Sequence, residues 1–167
     1  MKEKKNDLII LVWAMCIVSL TIMVLSLLLC GKKTETPTFV PPEFDQASAQ
    51  GVPNVPEGSG WSEVDAQAFK ASICGVVTIE NNKADIWFTN PASNTVWLKL
   101  RILDTNGNTL GETGLIKPGE YVQSVAFTAI PDIGESIGLK LMAYEPETYY
   151  SAGTATLTTE IAGGNRK

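Results

Sequence analysis

The sequence predicts an all-β fold class for most of the chain, and three observations lead to it. Runs rich in Val, Ile and Thr are separated by turn residues at intervals of about eight to twelve positions. Within these runs apolar and polar residues alternate as in half-buried strands, and no long helical periodicity competes with that pattern. Seven strands over roughly ninety residues are typical of an immunoglobulin-like (Ig-like) β-sandwich. The predicted strands are Ile73–Ile79, Ala84–Thr89, Val96–Leu103, Leu110–Leu115, Tyr121–Ala129, Ile137–Tyr144 and Ala152–Ile161.

The first element of the chain is a predicted transmembrane helix at residues 8–30. The stretch from Leu8 to Leu29 has 22 residues and no charged side chain. At about 1.5 Å per residue, such a helix reaches roughly 33 Å, enough to cross a hydrocarbon core of about 30 Å. The stretch is also longer than the apolar region of a secretory signal.

Flanking positive charge predicts the orientation of this helix. Residues 1–7, the predicted cytoplasmic tail, carry three lysines, whereas only Lys32 and Lys33 follow the helix closely. We therefore expect a single-pass protein of the cell membrane, with the lipid bilayer as one partner and the C-terminal domain extracellular. In an alternative interpretation, LLLCG at Leu27–Gly31 is a lipid-attachment signal, and a lipid on Cys30 would anchor the domain.

A proline-rich linker is predicted at residues 31–60, because this segment has five prolines and no sustained periodicity. At about 3.1 Å per residue, an extended segment of this composition holds a domain well away from its anchor. Trp61–Ala71 is predicted to form a short helix at the start of the domain. The Ig-like β-sandwich domain then spans residues 61–162, and residues 163–167 form a C-terminal tail.

Three short segments predict turns between the strands. Asn81–Asn82 separates two runs, and DTNGNT from Asp104 to Thr109 contains the Asn-Gly pair favoured in tight hairpins. Lys117–Glu120 places Pro and Gly at the centre of a turn. Oxygen side chains also alternate in DTNGNT, as they do in a calcium loop. However, Thr109 and Leu115 stand where that loop requires Gly and a bidentate Glu, so the plain turn is preferred.

Composition and spacing argue against several classes of function. From Gly31 onward the chain holds ten basic and sixteen acidic residues, and this net negative charge repels nucleic-acid phosphates. The chain has no histidine, so Cys74 lacks the usual base for thiol catalysis. Glu145 and Glu147 could act as an acid/base pair on glycosidic bonds, but Pro146 between them predicts a solvated loop. We predict no enzyme activity, no cofactor and no nucleic-acid partner.

One face of the predicted sandwich combines aromatic and cationic side chains. The strands Val96–Leu103 and Ile137–Tyr144 correspond to neighbouring strands of one sheet in an Ig-like sandwich. Alternation of apolar residues in each strand sets which side chains point outward. An aromatic patch rimmed by cations on an acidic domain is typical of a protein or glycan interface. The candidate binding face therefore comprises Trp97, Lys99, Arg101, Lys140, Met142 and Tyr144.

Trp87 also falls on the outward side of its predicted strand, on the opposite sheet of the sandwich. Two structural alternatives to a functional surface stay open for both tryptophans. A neighbouring segment could fold over Trp87 or Trp97 and bury it. Alternatively, the second and third predicted strands could pair as a hairpin, with Trp87 opposite Trp97 and Asp85 opposite Lys99.

The segment from Phe88 to Val122, FTNPASNTVWLKLRILDTNGNTLGETGLIKPGEYV, resembles bacterial cell-surface Ig-like modules that include the FxLYD type. Their shared pattern is an Asn after one strand, a strand ending in Asp, an x-x-Gly turn and Pro-Gly-Glu before the next strand. Leu139–Gly153 is similar to the C-terminal signature of small membrane-tethered proteins of Gram-positive gut bacteria, some carried on conjugative elements. The resemblance implies fold and location and supplies no catalytic residues. The matching positions are Asn90, Asp104, Gly107, Pro118, Gly119 and Glu120.

The sequence thus predicts a membrane-anchored, extracellular β-sandwich module with a non-catalytic binding or adhesion role at the cell envelope. Its partner would be an envelope protein or a cell-wall glycan. The alternative is a structural accessory subunit of a membrane conjugation or secretion complex, in which the transmembrane helix itself makes contacts.

Overall fold

The computed structural model describes residues 3–30 and 39–163, which belong to two compact units, Met1–Val40 and Pro41–Lys167. Helix α1, Glu3–Cys30, forms the first unit and begins five residues before the predicted span. Across the described ranges, no helix combines the length and the apolar character that crossing a membrane requires. The membrane assignment of residues 8–30 is therefore not confirmed and stays a prediction. Parts of the predicted cytoplasmic tail, linker and C-terminal tail lie outside the described residues.

The second unit takes its regular secondary structure, within the described residues, from β-strands, as the sequence predicts. The structure has ten strands in its described part rather than the seven predicted, because the chain before Ile73 also pairs into the sheet. The strands are β1 Ala49–Gln50, β2 Trp61–Ala66, β3 Phe69–Cys74, β4 Val77–Glu80, β5 Lys83–Thr89, β6 Trp97–Leu103, β7 Thr109–Glu112, β8 Glu120–Ala126, β9 Ser136–Tyr144 and β10 Ser151–Ala162.

The strands form one curled sheet in the order β1-β8-β5-β4-β10-β9-β6-β7, with β3 attached to β5 and β2 to β3. Strand β10 joins the two halves, because Ser151–Glu160 pairs with β9 while Ile161–Ala162 pairs in parallel with β4. One apolar core lies inside the curl, and it includes Phe88 of β5 and Leu100 of β6, both fully buried. Burial of such side chains is the main force that holds the two halves together.

The short helix predicted at Trp61–Ala71 is wrong, because this segment forms the β2–β3 hairpin with a turn at Gln67–Ala68. Ala, Gln, Glu and Lys in this stretch favour helix locally, but tertiary burial overrides such propensities. In β3 the residues Phe69, Ala71 and Ile73 recur with a period of two, and all three are buried in the core. A helix would have scattered these apolar side chains over its surface.

The strand predicted at Ile73–Ile79 is in fact interrupted at Gly75–Val76, where the chain leaves one neighbour for another. Strand β3 ends at Cys74 after pairing with β2 and β5, and β4 then pairs with β5 and β10. The Gly75 and Val76 amides donate instead to the carbonyls of Gly60 and Ser59. The other predicted strands are confirmed, with ends that differ by a few residues.

The predicted linker at residues 31–60 extends too far, because the compact unit already begins at Pro41. The Asp45 amide donates to the Leu115 carbonyl at 2.9 Å, and the Leu115 amide donates to the Glu43 carbonyl at 2.8 Å. The Gly114 amide donates to Asp45 Oδ2 at 2.8 Å. Residues 43–45 are therefore hydrogen-bonded to Gly114 and Leu115 through an isolated β-bridge and do not form a free spacer.

The predicted turns at Asn81–Asn82 and Lys117–Glu120 are confirmed. Asn81 and Asn82 both have positive φ, 50° and 61°, as a two-residue hairpin turn requires. Gly119 has φ of 82° at the third position of the other turn, where glycine meets no steric penalty. In that turn the Glu120 amide donates to the Lys117 carbonyl at 3.0 Å.

The predicted hairpin at Asp104–Thr109 is also confirmed, since it joins β6 to β7. Asp104 Oδ1 accepts hydrogen bonds from the Asn106 and Asn108 amides, and Asp104 Oδ2 accepts one from Asn108 Nδ2. The hydrogen bond from the Asn108 side chain, with those from the loop amides, lowers the pKa of Asp104 despite partial desolvation. The carboxylate thus organises its own turn.

Asn90, at the end of β5, is a fully buried polar residue that ties three segments together. Its Nδ2 donates to the carbonyls of Val96 and Ile116, each at 3.0 Å. Its Oδ1 accepts a hydrogen bond from Asn94 Nδ2 at 2.7 Å. Buried carbonyls need such partners. The Ile116 carbonyl also accepts the Leu98 amide at 3.0 Å, so Asn90 gives it a second hydrogen bond where β5 leads into β6.

Candidate binding face

The pairing of β6 with β9 brings the six predicted face residues together. The two strands are antiparallel, and residues directly opposite each other in such a pair share a face. Inward neighbours on β6 such as Leu98 and Leu100 are fully buried, which fixes the outward direction of the intervening side chains. The opposed pairs are Trp97 with Tyr144, Lys99 with Met142 and Arg101 with Lys140. The prediction that Met142 is exposed on this face is wrong, because the residue is buried and only 7% exposed.

The cationic half of the face is partly neutralised within the protein, because one carboxylate, Glu112, pairs with two of its three cations. Lys99 Nζ lies 2.8 Å from Glu112 Oε1, and Arg101 Nη2 lies 2.8 Å from Glu112 Oε2. The side chain of Lys99 is only 12% exposed, so this charge is not presented freely to solvent. Burial raises the pKa of Glu112, but hydrogen bonds and charge from Lys99 and Arg101 outweigh it and bring the pKa below its ordinary value.

The aromatic half of the face forms a ring cluster around Trp97. Phe44 packs edge-on against the Trp97 ring with centroids 4.8 Å apart, and Tyr149 does so at 5.3 Å. Lys117 Nζ lies 4.7 Å from the centre of the Phe44 ring, within cation–π range. Trp97 therefore remains half-buried under two of its neighbours rather than fully open. The alternative that a nearby segment covers Trp97 is partly confirmed.

The loop between β9 and β10 contributes Tyr149 to this cluster and carries backbone strain. Glu147 and Tyr149 both have positive φ, 66° and 57°, although neither is glycine. Such conformations cost about 1–3 kcal/mol each and are concentrated at binding and catalytic sites. Glu145 and Glu147 lie in this loop, as Pro146 predicts, and the following Tyr150 is 75% exposed.

Trp87 lies on the other half of the curled sheet, so the hairpin alternative is wrong. Strand β5 pairs with β3, β4 and β8, and it has no ladder with β6 among the described strands. Asp85 lies opposite Thr78 and Ser124 rather than Lys99. The Trp87 ring stacks on Tyr121, with centroids 6.1 Å apart and planes at 22°.

Sequence reasoning missed several residues that complete the face. Phe44 lies within the predicted linker, and nothing in its local sequence indicates a contact with Trp97, 53 residues away. Glu112 and Tyr149 come from β7 and from a loop, whose positions depend on tertiary pairing. Exposed threonines of β10 extend the face beyond β9, and the alternating GTATLT pattern was a usable signal for them. These are Thr154, Thr156 and Thr158, beside Met142, Lys140 and Gly138 respectively.

The replacement Glu112→Gln tests the charge pairing through the pH dependence of stability. A carboxyl whose pKa is lower in the folded chain stabilises the fold above its unfolded pKa, about 4.3 to 4.5, and this contribution disappears as pH falls through the folded pKa. We expect the variant to be less stable at about pH 7 by up to roughly 1 kcal/mol, because the pair is partly exposed. The difference should shrink in acid. Urea unfolding of wild type and variant at several pH values, from neutral to acid, measures this difference in the free energy of unfolding. A difference that does not change with pH would contradict the pairing.

Comparisons with protein families, curated proteins and solved structures identify no relative of this chain. No family model matches the chain, and neither the curated proteins nor the solved structures give a significant match.

Proposed function

We propose that the protein is a membrane-anchored, extracellular Ig-like module with a non-catalytic binding role at the cell envelope. The observation that carries this proposal is the assembled face, where Trp97 and Tyr144 lie directly opposite each other on adjacent strands. Large aromatic side chains held on a rigid sheet are the usual anchors of protein interfaces. Tyr149, Phe44 and the strained loop enlarge this aromatic end of the face.

The strand order supports the finer, Ig-like part of the proposal. In an Ig-like sandwich the strands named C, F and G are neighbours in one sheet, and B and E are neighbours in the other. Strands β6, β9 and β10 have the first relationship, and β5 and β8 have the second. The outer surface of the β6–β9–β10 group would then be the recognition surface.

The membrane anchor of the proposal rests on the sequence of helix α1. Its 22 uncharged residues suit a bilayer, and the lysines before it favour a cytoplasmic N-terminus. The accessory-subunit alternative needs polar contacts between helices. However, the hydroxyls of Ser19, Thr21 and Ser26 donate to carbonyls three residues earlier in the same helix. These hydroxyls are satisfied locally, so we favour the tethered binding domain.

The partner expected for this face is another envelope protein. Because Glu112 already pairs with Lys99 and Arg101, the contact would be made chiefly by the aromatic end, with the threonines of β10 as a polar border. Aromatic anchors surrounded by neutral polar groups are typical of protein interfaces.

Crosslinking in cells that express the full chain tests this proposal. The double variant Trp97→Ala, Tyr149→Ala should reduce recovery of the crosslinked partner about tenfold or more, since interface anchors of this kind contribute roughly 2 kcal/mol or more. Trp61→Ala, which removes an exposed tryptophan from β2, is the matched control and should leave recovery unchanged. Circular dichroism verifies that each variant is folded. Equal recovery from the double variant and wild type would overturn the proposal.

Exchange of Leu8–Leu29 for an unrelated apolar helix separates the two candidate functions. A tethered ectodomain should keep its partner after the exchange, because the face residues are unchanged. An accessory subunit that binds through its transmembrane helix should lose its partner. The same crosslinking assay measures both outcomes.

A further inference from the structure

A polar cleft lies on the outward surface of the β5–β8 half of the sheet, away from the residues of the candidate binding face. It has a volume of about 260 Å³. Three chain segments form it, namely the β4–β5 hairpin, the outward side of β5 and the middle of β8. Its lining residues are Glu80, Asn81, Lys83, Asp85, Gln123 and Ser124.

The local sequence sets the shape of this cleft. The left-handed pair Asn81–Asn82 folds β4 tightly back on β5, which places the hairpin tip beside the strand pair. On β5 the alternation that buries Ala84 and Ile86 leaves Lys83 and Asp85 pointing outward. Ser124 lies directly opposite Asp85 on β8, so polar side chains meet across the two strands.

An aromatic pair lies farther along the same two strands, β5 and β8, beyond the residues that line the cleft. Trp87 follows Asp85 by two residues, roughly 7 Å along a strand, and its ring is half-buried and stacked on Tyr121. The β5–β8 ladder is irregular between Asp85 and Phe88, and Trp87 there has φ of 49°. Bulges of this type are over-represented beside binding sites, where they redirect a side chain.

The position of Trp87 is firmly fixed, yet its indole N–H is unsatisfied. Its carbonyl accepts hydrogen bonds from Trp61 Nε1 at 3.1 Å and from Thr89 Oγ1 at 3.2 Å. Trp87 Nε1 is buried and has no hydrogen-bond acceptor within the described residues. An unpaired buried donor costs about 1–3 kcal/mol.

We propose that this cleft binds a sugar unit of a glycan. Two carboxylates, two carboxamides, one hydroxyl and one ammonium provide both donors and acceptors, and carboxylates and amides can each engage two adjacent hydroxyls of one sugar. The Trp87–Tyr121 pair provides the apolar surface that the C–H face of a sugar ring requires. Lys83 faces Glu80 and Asp85, so the local charge disfavours phosphate or sulfate groups and favours an uncharged ligand.

This inference does not depend on the proposed function, because the two surfaces share no residue. A protein partner on the Trp97 face and a sugar in the Glu80–Ser124 cleft would be held by separate parts of the sheet. Each site can therefore be tested while the other is intact. A negative result for one proposal does not affect the other.

The test uses the full chain in detergent micelles, titrated with a tetramer of β-1,4-linked N-acetylglucosamine and separately with cellotetraose. We expect saturable heat for at least one of the two, with a change in tryptophan fluorescence that is absent from the variant Trp87→Phe. Asp85→Asn and Gln123→Ala should each weaken binding about tenfold, the effect of losing one hydrogen bond to a bound ligand. Trp97→Phe and Glu63→Gln should bind as wild type.

Gln123 is exposed, so its variant remains informative if replacement of Asp85 disturbs the fold. Absence of saturable binding by both tetrasaccharides would overturn the proposal. Wild-type affinity in both Asp85→Asn and Gln123→Ala would also overturn it. Loss of binding in Trp97→Phe, with the cleft variants unaffected, would assign the sugar to the other face and overturn it as well.

Discussion

Replacement of Asn90 with Asp is expected to destabilise the domain by about 3–5 kcal/mol at neutral pH, the range for an uncompensated buried charge. Asn90 is fully buried, and its Nδ2 donates to the carbonyls of Val96 and Ile116. A carboxylate has no proton to donate, so it would face two carbonyl oxygens in a site closed to water. The decrease in the free energy of unfolding should therefore exceed that caused by most other single substitutions in this chain.

The pH dependence distinguishes this mechanism from a simple loss of packing. Burial beside carbonyl oxygens should raise the folded-state pKa of the new Asp above its unfolded value of about 3.9. A raised folded pKa favours the folded state below the unfolded pKa and loses that contribution as pH rises, so the penalty should be smallest in acid. Asn90→Ala should lose about 1–3 kcal/mol, chiefly from the Val96 carbonyl, because the Ile116 carbonyl still accepts the Leu98 amide, and this loss should not depend on pH.

Urea unfolding of the three proteins at several pH values measures these differences. Asn54→Asp makes the same chemical change at an exposed position and should have little effect. If Asn90→Asp is no less stable than Asn54→Asp, the hydrogen bonds described for Asn90 do not support the fold.

Gly114→Ala is expected to destabilise the domain by about 2–4 kcal/mol, because it displaces the segment at Asp45. A Cβ on Gly114 would lie 2.6 Å from Asp45 Cα and 2.7 Å from the Phe44 carbonyl carbon, closer than real contacts allow. Backbone would have to shift, which adds a packing cost and weakens the hydrogen bonds between residues 43–45 and Leu115. Phe44 should then leave Trp97, which should alter the Trp97 fluorescence.

Gly138→Ala is the matched control for this change. A Cβ at Gly138 would meet Leu103 Cβ at 3.7 Å, an ordinary contact, and Ala is preferred over Gly within a strand. We expect Gly138→Ala to be neutral or slightly stabilising in thermal unfolding. Equal melting temperatures for the two variants would show that residues 43–45 do not pack against Gly114 as described.

Most of the candidate binding face could be predicted because burial alternates throughout β6 and along β9 up to Leu141, although Met142, predicted to be exposed, is buried. In β6 and β9 the apolar residues repeat every second position, and burying one set forces the other set outward. Neighbouring placement of the two strands followed from the Ig-like order expected of seven short strands. Trp97 and Tyr144 share this face, as predicted, whereas their directly opposite register is set by the β6–β9 pairing and was not predicted.

The covering of that face could not be predicted, because it depends on long-range contacts. Phe44 lies in a proline-rich stretch whose composition indicates a linker, and its partners Trp97 and Leu115 are 53 and 71 residues later in the chain. The same reason applies to Glu112, whose pairing with Lys99 and Arg101 requires the β6–β7 register. Local sequence patterns do not indicate contacts between residues that are so far apart in the chain.

The β2–β3 hairpin was missed for a different reason. Between Trp61 and Ala71 the helix-favouring composition and the strand-like alternation conflict, and the alternation shows clearly only when Phe69–Ile73 is considered apart from the polar residues before it. Core burial of Phe69 and Ile73 decided the outcome in favour of strands. Trp87 illustrates a further limit, since alternation gives its outward direction but not its positive φ or its stack on Tyr121.

Site-specific photo-crosslinking in intact cells tests the binding role most directly. A photoreactive amino acid at Lys140, next to Arg101 on the face, should give one discrete protein adduct that the double variant Trp97→Ala, Tyr149→Ala abolishes. The same amino acid at the exposed Glu63 of β2 should give none. Absence of an adduct from Lys140, or the same adducts from Lys140 and Glu63, would contradict a recognition role for this face.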